Sequence, residues 1–583
     1  MVRRKRLVGF LILVLLLAVF YLPPLSFNPL PPSPPSGDRW GYFEYRGIIH
    51  AHSRYSDGKG TIEEVAKAAS SLSLDFIITT DHDTLLPLAE GKEGYYGKTL
   101  LLVGTELSTF SGHMVALDIP DPVYRFPPMA EEALADVHEE GGIAIAAHPD
   151  SPKVPWTNWD LPLDGMELIN TDSEWRYRSI FRLAYCLALY PASPRYALLL
   201  TFFPPGGNLK RWDSFTRRRR FIGSAGADAH GGIPLIGGAF LPFPSYRAVF
   251  SLVKLHLLSR KRITGRLLHD KRVIYSAIRR GNFYLGLDGV ADARGFFFGA
   301  SSAGKRGIMG DLIPFSREAS LRILVPNPAP IRVVLIRDGE VVKTFSSSRV
   351  SYRPSLPGTY RVEVYLPEGC YPKGKVLPWI ISNPIYLWDE ERIKAEPKRK
   401  EVTSPPIKGK GILMVEDFEG RPRTRFGLEH DPASSEEVEV VDEGAHPSSK
   451  HSLRFSFHLA PTVAKGREIT CALSNRVYRD LSPYSAISFF VKGDRTYRFW
   501  LQLREYDENG GKEKVEVWGT SVKVHPYWEH KVIPFSSFVL LSKGTNGRLE
   551  LARSTGFFFI VNNSSVKPGT SGTIWFDDIS FVR

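Results

Sequence analysis

Between residues 40 and 299 short apolar runs alternate with stretches of helical period. The apolar runs are "GII" before His50, "DFIITT" before Asp81, "TLLLVGT" before Glu106, "GIAIAA" before His148 and "FIGSAGA" before Asp228. Between them, "TIEEVAKAASSLS" and "PMAEEALADVHEEG" space their apolar residues three and four apart, and Thr61 with Glu64 forms a capping box. Strand then helix, repeated, predicts a parallel α/β architecture. After Gly299 the period falls to two in "LRILVPN", "IRVVLIRDGEVVKTF" and "GTYRVEVYLP". That pattern predicts a small β-sandwich over 300–388. The charged, Pro-containing stretch 389–411 reads as a linker. From 412 to 583, aromatic-rich runs such as "SLRFSFHL", "YRFWLQLRE" and "GTIWFDDISFV" predict a jelly roll.

The N-terminus breaks this pattern. "MVRRKR" is basic, residues 7–25 are apolar, and a Pro-rich spacer runs to residue 39. The basic flank stays in the cytoplasm, so the segment is expected to be an uncleaved signal anchor. That makes the chain a single-pass protein of the cell membrane, its catalytic region extracytoplasmic; secretion after signal cleavage is the alternative. A second apolar segment, 176–203, is interrupted by Arg178, Arg182, Pro191, Pro194 and Arg195. It reads as two helices of the globular part that cover the site, with a dip into the membrane as the alternative.

Bulk properties narrow the rest. A chain of 583 residues divides into about three or four domains. Net charge is +13, with basic runs at 3–6, 217–220 and 260–262. The second run lies at the start of the strand "FIGSAGA", ~20 Å from chemistry at its far end, and is expected to be a solvated or lipid-facing patch. No aromatic interleaving supports a nucleic-acid partner. Cys186, Cys370 and Cys471 form no C-x-x-C pair, which excludes a disulfide framework and a thiolate zinc site.

The candidate chemistry starts in "GIIHAHSRYSDG". His50 and His52, two apart at a strand end, project to one side, and Asp57 follows in a turn. His82 in "TTDHDT", Glu106 in "GTELS", His113 in "SGHMVALDI", His148 in "AAHPD", and Asp228 with His230 in "GADAH" extend the series. Most stand at C-terminal ends of apolar runs, the rim on which parallel α/β barrels build their sites. Imidazoles and carboxylates without thiolates suit zinc, manganese or iron. Nine such groups exceed the needs of one ion and predict two or three divalent ions sharing a carboxylate. His138 reads as a helix-surface residue, and Asn170 as a turn cap or pocket residue.

The ordered series "HAHSRYSDG", "TTDH", "GTELS", "GH", "AHP" and "GADAH" resembles the polymerase-and-histidinol-phosphatase (PHP) superfamily of metallohydrolases, in its CehA/McbA-like branch. The similarity runs on through "YSAIRRGNFYLGLDGVADARGFFF" to "ISNPIY", about residues 45–388. It implies a distorted seven-stranded β/α barrel with a trinuclear site. On that pattern His50, His52, Glu106 and Asp228 hold one ion. Glu106 bridges to a second held by His113 and His148, and Asp57, His82 and His230 hold the third. The resemblance leaves the substrate open, since the superfamily includes phosphomonoesterases, phosphodiesterases, exonucleases and an amide or carbamate hydrolase. The expected activity is phosphoester hydrolysis by a metal-bridging hydroxide. Amide or carbamate hydrolysis, or a non-catalytic surface-binding role, are the alternatives. Asp81 and Asp83 are the candidate catalytic residues, orienting an imidazole or relaying a proton, and Arg54 is the candidate phosphate clamp.

The C-terminal part resembles galactose-binding-like jelly rolls, including carbohydrate-binding modules, through "EDFEG" and "IWFDDISF". This implies a surface-glycan-linked substrate. Trp500, Trp518 and Trp528 are a candidate sugar platform if they are not core, and Asp417 and Asp577 candidate ligands of a structural Ca²⁺. Metal identity and oligomeric state are left open.

Overall fold

The structure, a computed structural model, describes residues 21–31, 38–120, 126–234, 240–326, 329–372, 376–396, 412–420, 422–446, 449–461, 469–476, 479–507, 514–542 and 547–583. The expected anchor falls mostly on residues 1–20, outside the described residues; among those described, no helix is long and apolar enough to cross a membrane. The chain divides into two compact units, Met1–Pro122 with Pro128–Val402, and Val123–Pro127 with Thr403–Arg583.

Thirteen strands build the first part of unit one: β1 Phe43–Ile49, β2 Phe76–Thr79, β3 Gly94–Tyr96, β4 Thr99–Val103, β5 Thr105–Thr109, β6 Gly112–Leu117, β7 Ile143–Ala146, β8 Gly165–Asn170, β9 Ile222–Gly226, β10 Ile233–Pro234, β11 Phe240–Leu241, β12 Lys254–Ser259 and β13 Phe283–Gly286. Between β1 and β2 lies the helix Ile62–Ser70. It opens with the Thr61–Glu64 capping box and buries Ile62, Val65, Ala66 and Ala69, the stripe its spacing dictates.

The expected barrel does not form as one continuous sheet. Strands β1, β2, β4 and β3 belong with β12 and β13 to a twelve-stranded sheet, while β5 to β9 form a separate five-stranded one. Isolated bridges, Ala51 to Ala229 and His82 to Glu106, join the ends of the two sheets. Two local features explain the split. Gly104 separates β4 from β5 where a Cβ would stand 2.8 Å from the Ala116 carbonyl oxygen. His50, His148 and Asp228 take positive φ values of 67°, 27° and 50°, which ends their ladders at the ligand positions. Nor is the architecture purely parallel: β5, β6 and β7 pair antiparallel, as do β1, β12 and β13.

The strands of 300–388 are continuous with this scaffold. Ile380–Ser382 pairs with β13, so the twelve-stranded sheet runs from the α/β part into the sandwich. A buried Arg361 on the strand Gly358–Tyr365 ties the two layers together through Asp213 on the helix Gly206–Thr216. Part of the expected linker is helical, Glu390–Ala395, with Asp389 as its N-cap.

A second polar network lies within the sheet. His256 bonds Glu44 through Nδ1 at 2.8 Å and Asp288 through Nε2 at 3.1 Å, and Lys254 reaches Asp288 at 3.1 Å. Burial opposes the charge on His256, but Asp288 and Glu44 outweigh it and raise its pKa to about 9. A pKa raised on folding contributes stability that is complete below the unfolded value of ~6.5 and lost as pH rises through the folded one. Thermal unfolding is therefore expected to show a midpoint that falls between about pH 6.5 and pH 9. In His256→Asn this slope should become shallower, the raised histidines of the pocket supplying the remainder; an equal slope in the variant would place its cause elsewhere.

Unit two is a sandwich of two antiparallel six-stranded sheets. Its core is aromatic, with Phe455, Phe489, Phe499, Phe559 and Phe576 all fully buried. The three tryptophans form no single platform. Trp518 lies in the core and donates to Glu505, whereas Trp500 stands on the opposite side of its sheet and donates to Ser564. Lys492, on the other sheet, lies 5.5 Å from the Trp528 ring. Asp417 pairs with Arg423 at 2.6 Å, while the buried Asp577 accepts from the Ala445 amide and the Ser449 hydroxyl.

Candidate metal centre

The nine predicted ligands meet in one pocket, and Glu106 is its hub. Strand β1 leads into His50 and His52, β2 leads into His82, and β5 and β6 carry Glu106 and His113. His148 follows β7, and Asp228 and His230 follow β9. The two Glu106 oxygens face different groups. Oε1 lies 2.8 Å from His148 Nε2 and 3.0 Å from His113 Nδ1. Oε2 lies 3.1 Å from His50 Nε2, 3.2 Å from His52 Nε2 and 3.4 Å from His82 Nδ1. Asp228 Oδ1 is 3.2 Å from His52 and 3.5 Å from His50. Asp57, at the open side, reaches His230 at 3.1 Å, His52 at 3.7 Å and His82 at 4.0 Å.

Three overlapping sets have donor atoms close enough to share an ion. They are His50, His52, Glu106 and Asp228; His52, Asp57, His82 and His230; and His82, Glu106 and His113. The first is the set that the family resemblance implies, the second adds His52 to an implied one, and the third has His82 in place of the implied His148, which meets the cluster through Glu106 Oε1 instead. The donor chemistry fits cations. His50 Nε2, His52 Nε2, His82 Nδ1 and Glu106 Oε2 are buried without a hydrogen-bond partner among the described residues. Each such orphan costs about 1–3 kcal/mol, and coordination removes that cost.

The electrostatics agree. Burial favours neutral His50, yet Glu106, Glu167 and Asp228 push its pKa well above the ordinary range. His52 is raised to about 10 and His148 to about 9, also against burial, by the same carboxylate field. Glu106 and Asp228 are held well below the carboxylate range because the imidazoles outweigh desolvation. Burial wins only at His82, whose pKa falls. The pocket demands positive charge, which divalent cations supply.

Asp81 and Asp83 are drawn into the scaffold. Asp81 is 1% exposed and accepts from the Ser53 amide at 2.8 Å, the Ser53 hydroxyl at 2.7 Å and the Ser56 hydroxyl at 2.8 Å. It locks the loop after His52, a positioning role. Asp83 accepts from the Ser108 amide at 2.8 Å and ties the His82 turn to β5. Arg54 is exposed and donates to the Lys59 carbonyl. His138, on the helix Ala130–Glu139, bonds Asp164 just before β8, apart from the cluster.

Sequence reasoning missed Glu167. It is 1% exposed on β8 and takes His50 Nδ1 on Oε1 at 2.7 Å. Its Oε2 accepts from the His148 amide at 2.7 Å and from Asn170 Nδ2 at 2.9 Å. Asn170 Oδ1 in turn caps the helix Thr171–Arg176. Gly226 makes room, since a Cβ there would lie 2.0 Å from Glu167 Oε1. The available signal was a carboxylate inside the otherwise apolar "GMELIN". Because partners behind metal-binding histidines orient the ring and raise its basicity, Glu167→Ala is expected to weaken metal binding about 10- to 100-fold. Chelator competition measures this; unchanged affinity would reduce Glu167 to a packing residue.

No family model matches the chain. Among solved structures, the family 11 carbohydrate-binding module of a cellulosomal cellulase of Clostridium thermocellum is 21% identical with a TM-score of 0.24, covering 30% of this chain and 94% of that one. A family 30 module from the same organism is 20% identical with a TM-score of 0.20, covering 30% and 95%. A curated relative, the uncharacterized protein MJ1587 of Methanocaldococcus jannaschii, is 32% identical over 139 residues, 21% of this chain and 80% of that protein. Identity and coverage at that level place the chain in one family with MJ1587, a family whose name carries no activity.

Proposed function

We propose that unit one is a metal-dependent hydrolase of the polymerase-and-histidinol-phosphatase type, acting on a phosphoester outside the cytoplasm, with residues 7–25 as its membrane anchor. The observation that carries this reading is the meeting of eight imidazole and carboxylate side chains in one pocket with the two-sided Glu106. Bound divalent ions would supply Lewis acidity, lowering the pKa of water and neutralising charge on an ester. The chain's own residues set the stage for that chemistry. Glu106 offers one oxygen to each side of the pocket, Glu167 fixes the rings of His50 and the approach of His148, and Asp81 holds the loop that carries His52. The anionic ligands are Asp57, Glu106 and Asp228. With Glu167 against His50 the pocket holds four carboxylate charges, so two divalent ions balance them and three leave the loaded pocket net positive, which favours an anionic ester over a neutral amide or carbamate.

Metal analysis of the purified full chain, followed by a panel of phosphomonoesters, phosphodiesters and carbamates, tests the reading. Two or three zinc, manganese or iron ions per chain, with phosphoester turnover lost to chelator and restored by metal, are expected. Fewer than two ions after reconstitution would favour a binding scaffold, and carbamate turnover alone would move the activity to the amide class.

A further inference from the structure

Helix Ile180–Leu189 turns an unbroken apolar face to the outside. Ile180, Phe181, Ala184, Tyr185, Leu187 and Ala188 are exposed, while Cys186 and Leu189 point into the fold. Phe181 is 84% exposed and Ile180 71%. A helix at a water-facing surface normally shows polar residues there. The N-terminal apolar run ends on this helix. Residues 21–26 are helical, Tyr21 donates its hydroxyl to the Ala188 carbonyl at 3.2 Å, and Phe27 meets Tyr196 edge-on at 5.3 Å. This terminal turn extends the face, because Leu22 and Leu25 are themselves 63% and 64% exposed. Arginines flank it: Arg178 and Arg182 lie over the half-exposed Phe203 ring at 4.2 and 4.8 Å. An apolar face edged by arginine and aromatic rings has the composition of a helix lying in a membrane interface.

We infer that helix Ile180–Leu189 seats on a lipid bilayer, its apolar side among the acyl chains and Arg182 toward the headgroups, while Arg178 stays paired with Glu174. The inference rests on the reading of residues 7–25 as a membrane anchor, which brings the bilayer to Tyr21 and hence to Ala188.

The test uses the full chain with Cys370→Ser and Phe181→Cys, labelled with a bimane; Cys186 and Cys471 are buried. A second sample carries the label at Leu268→Cys, an exposed apolar position on another helix. Each is incorporated into phosphatidylcholine–phosphatidylglycerol vesicles with brominated acyl chains. The chain is expected to float with the vesicles. The label at position 181 should lose most of its emission to the brominated lipid and resist iodide, while the label at 268 does neither. Flotation with an unquenched, iodide-shielded label at 181 would mean that another part of the chain covers the face and would overturn the inference. Flotation with an iodide-accessible label, or equal quenching at both positions, would overturn it too. Failure to float would remove the anchor reading itself, and the inference with it.

Discussion

Glu106→Gln is expected to abolish turnover and to strip the pocket of its full metal complement, with the fold intact. The side chain is 1% exposed, and its oxygens lie within 3.4 Å of five imidazole nitrogens belonging to His50, His52, His82, His113 and His148. Glutamine keeps the shape but replaces one anionic oxygen with an NH₂ donor, so it cannot present negative charge to both sides of the pocket. The imidazoles would then face one another without the carboxylate that holds them together. Loss of a shared ion removes several kcal/mol of transition-state stabilisation, so activity should fall by more than about 1000-fold. Elemental analysis should show fewer bound ions, while circular dichroism stays that of wild type. Full metal content with unchanged turnover would sink the assignment of the centre.

The largest stability effect is expected from Arg361→Ala, at about 3–5 kcal/mol in chemical denaturation of unit one. Arg361 forms a two-pronged pair with Asp213 at 2.7 and 2.8 Å and also reaches Glu363, and its side chain is only 5% exposed. Truncation leaves Asp213 charged and largely buried without its partner, a cost that exceeds the lost attraction. The triple substitution Arg361→Met, Asp213→Leu and Glu363→Gln removes all three charges and should recover most of the loss. If the single variant unfolds like wild type, the pair between the helix and the sandwich strand contributes nothing net.

Much of unit one was legible because its signals are local. The helix Ile62–Ser70 follows from a capping box and a four-residue stripe, and each apolar run became a strand within a residue or two. The nine candidate ligands were legible for a related reason: a polar, titratable residue at the end of an apolar run is conspicuous against its neighbours. Glu167 escaped because it sits inside a strand, where nothing local distinguishes a residue that orients His50 from one that fills a core. Asp81 and Asp83 were singled out by their place beside His82. Adjacency along the chain says nothing about where a carboxylate points, and Asp81 turns instead to Ser53 and Ser56.

Composition and periodicity thus determined many of the strands and helices and which residue types gather at strand ends, but not that residues 300–388 share a sheet with the α/β part. Only the tertiary structure decided that the strands split between two sheets, that the two Glu106 oxygens serve different histidines, and that one apolar helix faces outward. Hydrophobic period reports which face of an element is buried, because burial acts residue by residue along the chain. Register, strand termination and the direction of a buried carboxylate depend on contacts between residues far apart in sequence, such as Glu167 with His50 and Gly226, and these exist only after the chain has closed on itself.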